Sequence, residues 1–308
     1  MKAVICTAYG PPEVLRVAEV AKPVPGKGEI CIRVRSTAVT ASDCIIRRGQ
    51  ARFPMWLFMR AMLGFTKPRR IPGGVLSGEV ESVGRGVTRF KEGDAVFGMT
   101  GLAFGAYAEY ACMKETARFA ALATKPANVS HEEAAAVPYG GLLALCFLKP
   151  AGVATARRIL VYGASGSIGT AAVQIARHFG AEVTGVCGPA NVDLVRSLGA
   201  AKVIDYTKQD SIPEGERYDL VFDAVGKRKT SKLKDACRTA ILPEGKSVSV
   251  DDRVAKLDPS SLELLRDLMK SGKLRAVIDR RYPLDEIVEA QRYVEQGHKR
   301  GNVVVAVA

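Results

Sequence analysis

Val161-Tyr162-Gly163-Ala164-Ser165-Gly166-Ser167-Ile168-Gly169 directly follows an apolar run at 158–162 and opens a helical pattern at 167–179. A glycine-rich turn is weak evidence alone. Between a strand and a helix it reads as a dinucleotide-binding turn. Gly163 and Gly166 are the places where the backbone turns and approaches a pyrophosphate, and Gly169 is where the helix packs close to the strand. The free N–H groups at the helix start offer partial positive charge to the phosphates. Gly163, Ala164, Ser165, Gly166, Ser167 and Ile168 are therefore the candidate cofactor contacts. Ala164 stands where the commonest fingerprint has its first glycine. The competing reading is a purely structural strand-to-helix turn.

Outward from this turn, strand and helix patterns alternate. Strands are predicted at 182–186, 202–204, 220–222 and 246–250, with helices at 192–198 and 260–269. That order implies a parallel, doubly wound α/β sheet. Upstream, Ser130-x-x-Glu133 is a capping box opening a helix through 134–137. The tail runs strand 277–281, helix 284–296, strand 303–307. The first third reads differently. Strand patterns at 2–6, 29–34, 75–83 and 105–112, a turn entering a strand at 93–98, and bends expected at Gly78 and Gly84 predict a compact all-β module.

The chain has 308 residues, enough for two ordinary domains, and 47% of them are hydrophobic. Lys and Arg number 45 against 32 Asp and Glu, a formal charge of +13. Such a surface concentrates anions, phosphates included. The basic clusters at 67–70, 227–234 and 299–300 lack interleaved aromatics, which argues against nucleic acid as the primary ligand. The seven cysteines form no Cys-x-x-Cys pair and sit among apolar neighbours, as expected of reduced thiols in a cytoplasmic protein. The start has no signal-peptide pattern, and no apolar run is expected to reach membrane-spanning length. The longest apolar patch, Pro54-Met55-Trp56-Leu57-Phe58-Met59, is broken at Arg60.

Which dinucleotide binds is set at the end of the second strand of the α/β part. An NAD site usually places an acid there for the ribose 2′-OH. Gly188 stands there, followed by Pro189-Ala190-Asn191. The missing acid permits the 2′-phosphate of NADP(H) without attracting it. Tyr206 is either a hydrogen bond to that phosphate or a strand-end surface tyrosine. Gly188, Asn191 and Tyr206 join the cofactor candidates.

These residues, taken together, give a family likeness. Met1-Lys2-Ala3-Val4, Tyr9-Gly10-Pro11-Pro12-Glu13-Val14-Leu15, Gly78-Glu79-Val80-Glu81-Ser82-Val83-Gly84, Gly93-Asp94-Ala95-Val96-Phe97-Gly98, Ala134-Ala135-Ala136-Val137-Pro138, Phe222-Asp223-Ala224-Val225-Gly226 and Arg300-Gly301-Asn302-Val303-Val304 are distributed over the whole chain. In these motifs the chain resembles the zinc-independent, zeta-crystallin-like quinone oxidoreductase branch of the medium-chain dehydrogenase/reductases. The resemblance implies a GroES-like β-barrel catalytic domain built from 1–121 and 276–308, enclosing a Rossmann domain at 122–275. It adds Val225 and Asn302 to the cofactor candidates. It implies hydride transfer from NADPH to a small quinone or α,β-unsaturated carbonyl.

Zinc-dependent relatives hold their metal with a Cys and a His at places that correspond to Thr40 and Gly74, so no metal site is expected. The active-site loop of the family resembles Ala38-Val39-Thr40-Ala41-Ser42-Asp43. Thr40 is a candidate donor to the substrate oxygen or the nicotinamide ribose, and Asp43 a candidate for orienting the ribose or the loop. The plainer readings are a turn threonine and an aspartate cap. Tyr9 is a further candidate, or a barrel packing residue. The segment 52–70, with Trp56 and Met59 among its large soft side chains, is expected to wall the substrate site. Relatives often add a sheet-edge strand, where dimers join, just before the helix at 260–269. It is missing here, which leaves dimer and monomer both open. The rival functions are a simple alcohol or aldehyde dehydrogenase and a non-catalytic NADPH- or RNA-binding protein.

Overall fold

The computed structural model describes residues 1–50, 57, 60, 61, 63–68, 71–116, 120–228, 231–252 and 258–307. The α/β part is built on five parallel strands: β8 (Arg158–Tyr162), β9 (Glu182–Cys187), β10 (Lys202–Asp205), β11 (Tyr218–Asp223) and β12 (Ile241–Ser249). Their order is β10-β9-β8-β11-β12. The direction of winding reverses between β8 and β11, which opens the crevice where such sheets take ligands. Both faces are covered, so β8 is apolar and buried from Ile159 to Tyr162. Ile159 and Val161 face one core cluster, and Leu160 and Tyr162 face another. Among the described residues no further strand pairs with the outer edge of β12.

Seven of the nine remaining strands form a sheet drawn from both ends of the chain; six run in the order β13 (Ile278–Pro283), β14 (Asn302–Ala306), β3 (Glu29–Val39), β4 (Val75–Val83), β5 (Ala95–Met99), β7 (Ala121–Thr124). Strand β6 (Tyr110–Lys114) pairs with β3, and β1 (Lys2–Cys6) pairs with β2 (Leu15–Glu19). Ile30, Ile32 and Val34 alternate into the barrel core with Leu76 and Val80. This is the GroES-like half of an α/β fold whose other half is Rossmann-like.

Four local expectations change. The first third is not all β: α1 (Ala41–Arg48) follows β3 directly, because Thr40 and Asp43 close a capping box. Gly78 is no bend but lies within β4, where a Cβ would come 2.1 Å from the Arg33 carbonyl; the register also shifts between Val34 and Ser36. The strand expected over 105–112 begins only at Tyr110. Finally, the Ser130–Glu133 capping box opens α2 (His131–Ala151), 21 residues with a window of mean hydropathy 1.4. That helix is long and apolar enough to span a membrane, contrary to the sequence expectation. Its apolar surface packs on β3, β4, β5 and the helix after β8, which accounts for the composition.

Candidate active site

The glycines of the β8 turn have three different jobs. Gly163 has φ +80°, and a Cβ on it would sit 2.3 Å from Cγ2 of Val225. Gly169 lies in the first turn of α3 (Ser167–His178), where a Cβ would meet the Gly163 carbonyl at 2.1 Å. Gly166 caps the helix in extended conformation, and the nearest heavy atom to its Cβ position is 3.7 Å away. The protein does not require a glycine at 166; only something approaching from outside does. No side chain caps α3. Its first N–H groups face the mouth of the turn, ready for an anion.

The candidates converge on this turn. Asn191 donates through Nδ2 to Ser165 Oγ at 3.3 Å, while its Oδ1 is buried with no partner. An orphaned buried acceptor has a desolvation cost that a ligand donor would relieve. Tyr206 is half exposed and holds its hydroxyl over Gly188, 3.0 Å from where a Cβ would lie. A side chain at 188 would displace it. The Val225 N–H donates to Asp223 Oδ1 at 3.0 Å, and the other carboxylate oxygen pairs with Lys234 at 2.9 Å in a buried ion pair. That pair fixes the β11 exit against Gly163. These features fit a dinucleotide along Ser165–Ile168, Gly188, Asn191, Tyr206 and Val225. Asn302 follows Gly301 and lines a cleft with Ser167 and Thr170; its backbone N–H and its Nδ2 both donate to the Val277 carbonyl at the β14 start.

The sequence reading missed Lys299, taking it as part of a basic surface cluster. Its Nζ lies 3.3 Å from Ser167 Oγ and also bonds the Gly301 carbonyl. Burial pushes its pKa down to about 8, against the pull of Asp279. Only the three-dimensional return of the chain end to α3 reveals it.

On the opposite wall, Thr40 Oγ1 donates to Asp43 Oδ2 at 2.6 Å, and Asp43 N–H donates back at 3.2 Å. Both are buried. What the structure shows of this pair is a helix cap, with the Thr40 hydrogen directed to a carboxylate. Burial pushes the Asp43 pKa up, while bonds from Thr40, Tyr107 and Gly74 oppose it. A Cβ at Gly74 would lie 4.0 Å from Asp43 Oδ1. Positions 40 and 74 thus meet in space around Asp43, and neither bears a metal-binding side chain. Of the histidines, His131 bonds Ser77 at 2.8 Å and His178 packs on Phe179. Among the described residues no group of three or more His, Cys, Asp or Glu side chains is placed to hold a metal. Tyr9 donates to the Gly64 carbonyl at 2.7 Å and lies under Arg60, so it ties the loop after β1 to the segment between α1 and β4. Trp56 and Met59 lie outside the described residues.

A second feature went unread. Ser42 Oγ and the Tyr139 hydroxyl are 3.0 Å apart. Tyr139 belongs to α2, and its neighbour Gly140 packs so tightly on α3 that a Cβ would sit 2.2 Å from the Ser167 carbonyl. The two hydroxyls therefore link the start of α1 to α2, the helix that packs on the α3 start.

Residues 26–124 match the family model for the alcohol dehydrogenase GroES-like domain, and residues 167–250 and 253–305 match models described as zinc-binding dehydrogenase. The chain is 31% identical to a chloroplast envelope quinone oxidoreductase homolog of Arabidopsis thaliana, over 94% of this chain and 93% of that protein. It is 29% identical to an NADPH-dependent alkenal/one oxidoreductase of the same plant, over 99% of this chain and 79% of the relative. The solved quinone oxidoreductase of Coxiella burnetii superposes with a TM-score of 0.86 at 26% identity, covering 100% of this chain and 99% of that one. Whole-length similarity, the GroES-like and Rossmann-like halves and the glycine turn agree: the chain belongs to the quinone oxidoreductase branch of the medium-chain dehydrogenase/reductases, enzymes that work with a nicotinamide cofactor.

Proposed function

We propose that this protein is an NADPH-dependent reductase of quinones and α,β-unsaturated carbonyls that works without a metal. The observation carrying this reading is the meeting of Thr40 and Gly74 at Asp43, with no ligand side chain at either position. An unconjugated carbonyl needs a strong electrophile to accept hydride. A conjugated acceptor spreads the incoming charge over its own oxygen and needs only hydrogen bonds and a proton. The names of the plant relatives point to the same acceptors.

When bound, the nicotinamide supplies the hydride. The chain's residues do the rest. Ser165–Ile168 and the α3 start hold the pyrophosphate, with Lys299 beside Ser167 as the matching cation. Tyr206 over Gly188 favours the 2′-phosphate, which no acid there repels. The Ser42–Tyr139 hydroxyl pair holds the proton that completes reduction. The catalytic unit comprises 1–121 and 276–308 and the dinucleotide unit 122–275, so the pair sits at the seam. The test is NADPH oxidation by metal-depleted protein with a naphthoquinone, an enone and a saturated ketone. Turnover of the first two, unchanged by chelator, is expected. Zinc-dependent turnover of the saturated ketone alone would overturn the proposal.

A further inference from the structure

Away from the cleft, Cys31 on β3 and Cys112 on β6 face each other directly across an antiparallel pair. The rungs of that ladder can be placed. Glu115 N–H donates to the Gly28 carbonyl at 3.1 Å, and Val34 N–H to the Glu109 carbonyl at 2.9 Å. Hydrogen-bonded pairs alternate with non-bonded ones, so bonded rungs fall at residues 28, 30, 32 and 34 of β3. Cys31 and Cys112 occupy a non-bonded pair, where opposed side chains come closest. The Cβ separation typical of such pairs is about 4.5–5.5 Å, within a small strand adjustment of the roughly 3.8 Å of a disulfide.

The surroundings suit a reactive thiol. Ile30 and Ile32 point into the barrel core, so Cys31 points to the other face. There its Sγ lies 3.8 Å from the Pro23 carbonyl, under a strap held by the Lys22–Glu81 ion pair and by Lys22 over the Tyr110 ring. Cys112 donates a hydrogen bond that holds the Cys31 pKa down against burial; Lys22 and Ser82 add to it, and Glu81 opposes. Cys112, as the donor and beside Glu29, is correspondingly held up. Burial raises the thiols of Cys6, Cys44, Cys187 and Cys237 instead. Thiolate character next to a cation marks the reactive cysteine in a set. Cys31 is itself fully buried, and Cys112 beside it is only partly enclosed, so a small oxidant reaches the pair from the Cys112 side.

We propose that Cys31 and Cys112 form a reversible cross-strand disulfide on exposure to hydrogen peroxide. The Cys31 thiolate attacks one peroxide oxygen; the O–O bond breaks, a proton is taken up, and water leaves a sulfenic acid on Cys31. Cys112 sulfur then attacks Cys31 sulfur, and the S–O bond breaks. The displaced hydroxide takes the Cys112 proton as a second water. Two thiols are oxidised by two electrons and one peroxide is reduced to two waters. A dithiol reductant reverses the bond.

The test uses the folded full-length protein, reduced, freed of reductant and exposed to hydrogen peroxide at neutral pH. Remaining thiols are blocked and the digest is analysed without reduction. The Cys31–Cys112 linked peptide is expected as the dominant disulfide, disappearing with dithiothreitol. In Cys112→Ser the reaction stops one step earlier. Dimedone should then label Cys31 at least tenfold more than Cys187 or Cys237. A linked peptide no more abundant than other cysteine pairings, or dimedone spread evenly over the thiols, would overturn the proposal.

Discussion

Gly301 donates its backbone N–H to the carbonyl of Ser165 at 2.8 Å, and a parallel bridge joins Gly301 to Gly166. The last strand of the barrel is thereby fastened to the dinucleotide turn. Lys299, two residues earlier, is carried to Ser167 by the same bond. In the proposed function the cofactor site is thus completed by residues 299–301.

Gly166→Val should weaken NADPH binding by at least about a hundredfold, because the side chain fills the space a pyrophosphate needs, while the melting temperature stays near that of the wild type. Gly169→Val should instead unfold the α/β half, since its Cβ position overlaps the Gly163 carbonyl. Fluorescence titration and thermal melts separate the two. Equal melting losses in both variants would contradict the assignment.

Lys299 gives a pH dependence with a definite sign. Its amine is charged below about 8 and neutral above. Phosphate binding should therefore be tightest below that pH and weaken as pH rises through it, where the wild-type KM for NADPH climbs. For stability the sign is opposite: the native state binds fewer protons than the unfolded chain between about 8 and the ordinary lysine value, so this group adds stability as pH rises through that window. Lys299→Met should flatten the KM profile, and Lys299→Arg should keep affinity high at alkaline pH. A wild-type KM independent of pH across 7–9 would count against the contact.

Tyr206→Phe should narrow the preference for NADPH over NADH. A hydrogen bond to a charged group contributes roughly 1.5–3 kcal/mol. With Ala190 and Asn191 adding no charge, the lower end, about tenfold, is expected in the ratio of kcat/KM values. Equal losses with both cofactors would place Tyr206 outside the 2′-phosphate contact.

Tyr139→Phe should lower kcat by roughly a hundredfold, the scale of a lost general acid, with KM for NADPH unchanged. Ser42→Ala should lower it less, because the tyrosine keeps its hydroxyl. A variant altered only in KM would show the pair to be a binding element.

Much of this fold was legible in the sequence, because the alternation of β3, the apolar run of β8 and the glycine spacing act locally. The capping boxes at Thr40–Asp43 and Ser130–Glu133 follow equally local rules, yet only the second was read as a helix start. The first was masked by its likeness to a catalytic loop. The site was less legible. The proposed contacts at Gly166, Tyr206 and Asn191 follow from position after a strand. Lys299 and the Ser42–Tyr139 pair are brought in across 132 and 97 residues of sequence. No local pattern encodes such separations. Asn302 entered as a motif match, and in the structure its Nδ2 bonds the Val277 carbonyl.

The central claim, metal-free hydride delivery to a conjugated acceptor, is tested most directly by following the label. Metal-depleted protein is given NADPH deuterated at the transferring position and an enone that retains its carbonyl on conjugate reduction. Deuterium at the β-carbon of a saturated ketone is the predicted result. Deuterium on the carbinol carbon of an allylic alcohol, or turnover that appears only after zinc is restored, would contradict the account.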